Sequence, residues 1–69
     1  VPYVNVKVTR EGVTAEQKAE VIAGVTEVLR RVLDKDPKTT FVVIDEVELE
    51  DWGIGGLPVP AYRAQQTAG

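Results

Sequence analysis

Cysteine and histidine are both missing from these 69 residues. Without cysteine there is no disulfide and no thiolate metal site. Without histidine, the commonest metal ligand and the commonest general base are gone as well. No Ser–His pair and no metal-ligand cluster takes their place. Any chemistry is therefore expected to run without a metal and without a cofactor. A basic stripe is also lacking: the net charge is -3, with both signs interspersed, which argues against nucleic-acid binding. No apolar run approaches the roughly 20 residues of a membrane span. No signal-peptide pattern opens the chain, so a cytoplasmic protein is the default expectation.

What remains fits one small domain spanning residues 1–69. A domain of this size buries only about 60% of its unfolded surface and is marginal alone. With no disulfide or metal to add stability, oligomerisation is the remaining route.

The chain opens on Pro2-Tyr3-Val4-Asn5-Val6-Lys7-Val8-Thr9. Val4, Val6 and Val8 alternate with Tyr3, Asn5, Lys7 and Thr9, the period of a half-buried strand. Thr14 and Gln17 then have the spacing of a capping box, and Val13 stands where a hydrophobic staple would. From Val21 to Leu33 apolar residues recur every three or four positions, one stripe of an amphipathic helix. Pro37 predicts that the helix stops near Asp34 to Asp36.

Phe41-Val42-Val43-Ile44 reads as a second strand, continuing to about Val47 and apolar on both faces. Strand, helix and strand make a β-α-β unit of the α/β (α+β) class, with parallel strands and a right-handed crossover. One helix covers one face of such a pair. The other face carries Tyr3 or Val4 beside Phe41 or Ile44, and needs a second subunit to cover it. Two strands are also too few for an independently stable sheet.

After Val47 the chain turns acidic. Alternation puts Glu46, Glu48 and Glu50 on one face, either as a carboxylate cation site or as a solvated strand edge that discourages mis-pairing. The edge reading needs no ligand and is preferred. Trp52-Gly53-Ile54-Gly55-Gly56 predicts a tight hairpin or bulge. With no helix expected after these glycines, a phosphate-binding loop is set aside. Gln65 to Gly69 reads as a frayed tail.

The residues left for chemistry are Pro2, Lys7, Arg10, Lys38, Arg63 and the lone Trp52. Strand-initial prolines are ordinary. A proline at the amino terminus is also a secondary amine. An ordinary α-amino group titrates near pH 8, and burial or nearby cations lower that value toward a neutral base at neutral pH.

The order of these features resembles the 4-oxalocrotonate tautomerase family. They are a proline before an alternating strand, a glycine-containing loop, a helix starting Ala15-Glu16-Gln17-Lys18, the Phe41–Ile44 strand, and an aromatic before Gly53-Ile54-Gly55-Gly56. The resemblance runs from Pro2 to about Gly56. It implies β-α-β units that pair into dimers with a four-stranded sheet, the short members usually forming homohexamers as trimers of dimers. It implies an isomerase that moves a proton in a small enol or unsaturated 2-oxo acid, with the amino-terminal proline as general base. Arginines bind the carboxylate and polarise the carbonyl, and an aromatic makes the pocket apolar.

On that resemblance Pro2 matches the catalytic proline and Trp52 the pocket aromatic, which is normally phenylalanine. Arg10 lies in the arginine's loop, but the loop is one residue longer here and the arginine comes earlier in it. The family's second arginine falls on Phe41. A pocket with one arginine fewer favours a monoacid with an apolar or aromatic body, since a buried unpaired carboxylate is costly. Arg63 and Lys38 are the cations left to compensate.

Val1 is a further departure: with Val1 attached, the Pro2 nitrogen is a planar amide and no base. Two alternatives therefore stand beside the tautomerase. One is a hydratase- or dehalogenase-like member that activates water with Glu46 or Asp45. The other is a non-catalytic oligomeric ligand-binding module with Pro2 blocked.

Overall fold

The alternation of the first strand is realised in β1, Tyr3–Thr9. In this computed structural model, which describes residues 1–68 and side chains through residue 66, β1 pairs in parallel with β2, Phe41–Val47. The register sets Tyr3 against Phe41, Val4 against Val42, Val6 against Ile44 and Lys7 against Asp45. Between the strands runs α1, Ala15–Leu33. Its start is the predicted capping box: the Thr14 hydroxyl accepts from the Gln17 N–H, and the Gln17 side chain accepts from the Thr14 N–H. It ends as Asp34 enters the left-handed region at φ 55 and returns its N–H to the Arg30 carbonyl. A short 3-10 turn over Pro37–Thr39 then leads into β2.

The register resolves which face is which. Val6, Val8 and Ile44 lie beneath the first half of α1, with Val13 and Val21 closing over them. The opposite face carries Tyr3 beside Phe41, then Asn5 beside Val43. Tyr3 is 62% exposed, Phe41 57% and Val43 41%. Farther along, this face turns polar, where Asp45 accepts from Asn5 at 2.8 Å and from Lys7 at 3.0 Å.

Two expectations for the last third of the chain need correction. The acidic run does not continue β2. The strand ends at Val47, and Leu49–Asp51 form a 3-10 turn closed by Trp52 N–H onto the Leu49 carbonyl. Alternation of charge mimicked strand period there. Glu50 accordingly does not share a row with Glu46 and Glu48, which meet instead around Arg10.

The second correction concerns the tail. Strands β3, Gly53–Ile54, and β4, Leu57–Pro58, form the expected antiparallel hairpin. Gly55 and Gly56 turn it with φ of 61 and 83, the two left-handed positions that such a two-residue turn demands. A helix, α2, Val59–Ala68, then follows directly. Gln65 to Ala68 are therefore helical rather than frayed, and Gly69 lies outside the described residues. Pro60 does not block this helix because it sits in the first turn, where its missing N–H has no partner to lose.

One chain encloses very little. Among the described residues Val59 alone is buried, at 6% exposure. The radius of gyration is 16.0 Å, against about 11 Å for a compact chain of this length. The 19 residues of α1 extend about 28 Å, while seven-residue strands reach only about 23 Å. Val32 and Leu33, at the helix's end, are accordingly left exposed.

Candidate active site

Pro2 stands at the head of the parallel pair. Its carbonyl accepts the Phe41 N–H at 3.0 Å, so the residue is tethered and half-buried while its ring nitrogen stays outside the ladder. Phe41 is thus its immediate neighbour across the sheet. Lys38 lies three residues before Phe41, at the same end.

Trp52 and Arg10 are at the other end. Arg10 follows the last residue of β1, and its N–H donates to the Val47 carbonyl at 2.8 Å. Eight residues of extended chain separate it from Pro2, about 26 Å. Trp52 lines an open cavity of about 410 Å³ with Ile54, Val59, Tyr62, Arg63 and the Val8–Thr9 end of β1. Pro2, Phe41, Trp52 and Arg10 therefore fall into two groups, Pro2 with Phe41 at one end of the strands and Trp52 and Arg10 at the other, and a single chain does not bring them together. A larger hollow of about 540 Å³ lies under α1. Val6, Val8, Val13, Val21 and Ile44 form its apolar wall, Pro2, Phe41, Trp52 and Arg10 are not among its lining residues, and it marks the incomplete packing of helix on sheet.

The cations near Trp52 are engaged by carboxylates. Arg10 donates through Nε to Glu48 and through Nη1 to Glu46 at 3.1 Å. Both glutamates strengthen its hold on its proton, Glu48 more than Glu46. The Glu46 side chain is only 11% exposed and also takes Lys18. The Lys18 hydrogen bond holds the Glu46 carboxyl below the usual carboxylate range, with Arg10 adding to the effect. Asp45 is likewise lowered, first by Asn5 and then by Lys7. A carboxylate so stabilised is a weak base. That counts against either Asp45 or Glu46 as the water-activating group of a hydratase.

Arg63 is the cation that lines the Trp52 cavity, and its position was not readable from the sequence. It reaches from α2 to the β1–α1 loop and grips Glu11 in a fork: Nη1 to Oε1 at 2.6 Å, Nη2 to Oε2 at 3.1 Å. The Thr9 hydroxyl also donates to Glu11. Arg63 first, and then Thr9, pull the Glu11 carboxyl down to about 2. The two partners are 52 residues apart, and no local spacing announces them.

A parallel β-α-β unit headed by a proline and closed by an aromatic-bearing hairpin defines the small tautomerase fold. The sequence profile described as "Tautomerase enzyme" matches residues 2–62. A probable tautomerase of Dickeya dadantii is 56% identical over 64 residues, covering 93% of this chain and 96% of its own. Among solved structures, DmpI from Helicobacter pylori superposes with a TM-score of 0.85 at 38% identity, over 91% of this chain and 97% of that one. A 4-oxalocrotonate tautomerase isozyme from Methylibium petroleiphilum gives 0.82 at 30% identity, over 93% and 98%. The chain belongs to the Tautomerase family.

Proposed function

We propose that the protein is a cofactor-independent isomerase that interconverts keto and enol forms of a small 2-oxo monoacid, with Pro2 as its general base. The observation that carries this is the tether at Pro2. A carbonyl fixed to Phe41 at 3.0 Å orients the ring and keeps its nitrogen free of the sheet. As a terminal amine, that nitrogen takes a proton from the carbon beside the carbonyl, or from the enol hydroxyl, and returns it to the other end of the conjugated system. No electrons leave the substrate, and no atom is gained. The base works only in a chain that begins at Pro2, because Val1 converts the amine into an amide.

The roughly 26 Å between Pro2 and Arg10 in one strand supports a site shared between subunits. Pro2 and Phe41 of one copy would meet Trp52 and Arg10 of another in a homo-oligomer, and we assign it the hexameric form. The exposed Tyr3–Phe41–Val43 face and the nearly coreless single chain support the same assembly. Trp52 supplies an apolar wall, which favours the neutral amine. Arg10 has Nε and Nη1 committed to Glu48 and Glu46, leaving Nη2 to polarise the carbonyl oxygen.

The test is enol–keto conversion of phenylpyruvate by the assembled protein. A rate no higher than buffer would remove the proposal. Phe41 gives a second check. Phe41→Arg adds a charge where the family carries its own, and a charge-assisted hydrogen bond contributes roughly 1.5–3 kcal/mol. The ratio of kcat/KM for dicarboxylates over monoacids is expected to rise about tenfold, in protein shown to keep its oligomeric state. An unmoved ratio would mean that Phe41 is not at the distal end of the substrate.

A further inference from the structure

We infer that Arg63 is the specificity-determining residue that anchors the substrate carboxylate, and that Glu11 occupies its guanidinium as a built-in competitor until an acid arrives. This rests on the tautomerase reading and deepens it. The Trp52 cavity is lined by apolar and aromatic groups, with Arg63 the cation in its wall. That pairing suits an acid with one carboxylate and a flat or branched apolar body. The fork already holds a carboxylate, that of Glu11, through two parallel N–H···O bonds. A substrate carboxylate offers the same two oxygens at the same charge, and can take the fork only by displacing Glu11.

Glu11 is suited to being displaced and Glu46 is not. Glu11 sits on the exposed loop between β1 and α1, with its side chain 40% exposed, and once released it regains water. Exposed ion pairs contribute little net stability, so the exchange costs little. Glu46, by contrast, is nearly buried and binds both Lys18 and Arg10, which makes Arg10 part of the fold's own wiring. Glu11 also stays ionised throughout the working pH range, its carboxyl being held down near 2, so the competition persists there. With phenylalanine at position 41 the pocket lacks a distal arginine, and one fork then sets the preference for monoacids.

Trp52 is the only tryptophan and reports binding in this cavity without any turnover. Phenylacetate and its neutral analogue phenylacetamide are the probes, titrated against the full assembled chain. Phenylacetate should quench Trp52 and should bind about tenfold more weakly in Arg63→Ala, the scale of a lost charge-assisted fork. Arg63→Lys should fall between the two, since a point charge replaces the fork. Glu11→Gln should bind phenylacetate several-fold more tightly, because an amide competes less well for the guanidinium. Phenylacetamide should bind all four proteins alike.

The opposite signs for Arg63→Ala and Glu11→Gln are the decisive feature. A purely structural clamp would weaken binding in both variants, and equally for acid and amide. That outcome, or no Trp52 response to phenylacetate in the unmodified protein, overturns the inference. These readouts do not pass through Pro2. Intact binding with no turnover would therefore count against the base and leave the anchor standing.

Discussion

Val43→Asp is expected to leave no folded protein at micromolar concentration. Val43 lies in the middle of β2 on the face that α1 does not cover, one row from the Tyr3–Phe41 pair. In the proposed assembly this face would be closed by a second copy. An aspartate there would be buried without a partner, two residues before Asp45 on the same face. Uncompensated charges of this kind cost several kcal/mol, and domains of this size have only a few to lose. Because Val59 is the one buried residue among those described, losing the proposed interface would mean losing the fold. Sedimentation and circular dichroism should find an unfolded or aggregated 7.5 kDa chain. Lys35→Ala changes the net charge by the same amount at an exposed site and should assemble normally. A folded monomer of Val43→Asp would show that the fold does not depend on the interface, and a normally assembled variant would show that the sheet's open face is not an interface.

The second large effect is on catalysis. Pro2→Ala should lower kcat for phenylpyruvate conversion by about two orders of magnitude or more, the usual contribution of a positioned acid–base group. KM should change little, because the proposed carboxylate anchor and the Trp52 wall, rather than Pro2, hold the substrate. Some activity should remain, since alanine still leaves a primary amine at the terminus. The loss belongs in kcat because the proton transfer exists only in the transition state. An unchanged kcat would exclude Pro2 as the base, whatever the fate of the rest of the site.

The sequence reading succeeded where periodicity and local chemistry agreed. β1 announced itself by alternation, α1 by its stripe and by the Thr14–Gln17 box, and the hairpin by Gly55 and Gly56. The C-terminal helix was missed because no capping box announces it and its start is flanked by Pro58 and Pro60. Only their place, before and within a first helical turn, makes them tolerable. The acidic run was misread for the converse reason: Glu46, Glu48 and Glu50 alternate as a strand would, but the chain turns after Val47. Of the candidate site, the adjacency of Pro2 and Phe41 follows from parallel register and was within reach. The Arg63–Glu11 fork was not, since it depends on a helix the sequence reading lacked. Nor was it apparent that Pro2 and Trp52 stand at opposite ends of one chain, which becomes plain only once the strand is laid out.

The central claim is that a free Pro2 amine moves the proton, and one comparison tests it directly. Two preparations of the otherwise identical chain, one beginning at Pro2 and one at Val1, are verified by intact mass and matched for oligomeric state. Both are then assayed for enol–keto conversion of phenylpyruvate. The Pro2-first protein should catalyse it, and the Val1-first protein should run at the spontaneous rate, with the same affinity for phenylacetate at Trp52. Equal rates would contradict the account, because an amide nitrogen cannot be the base.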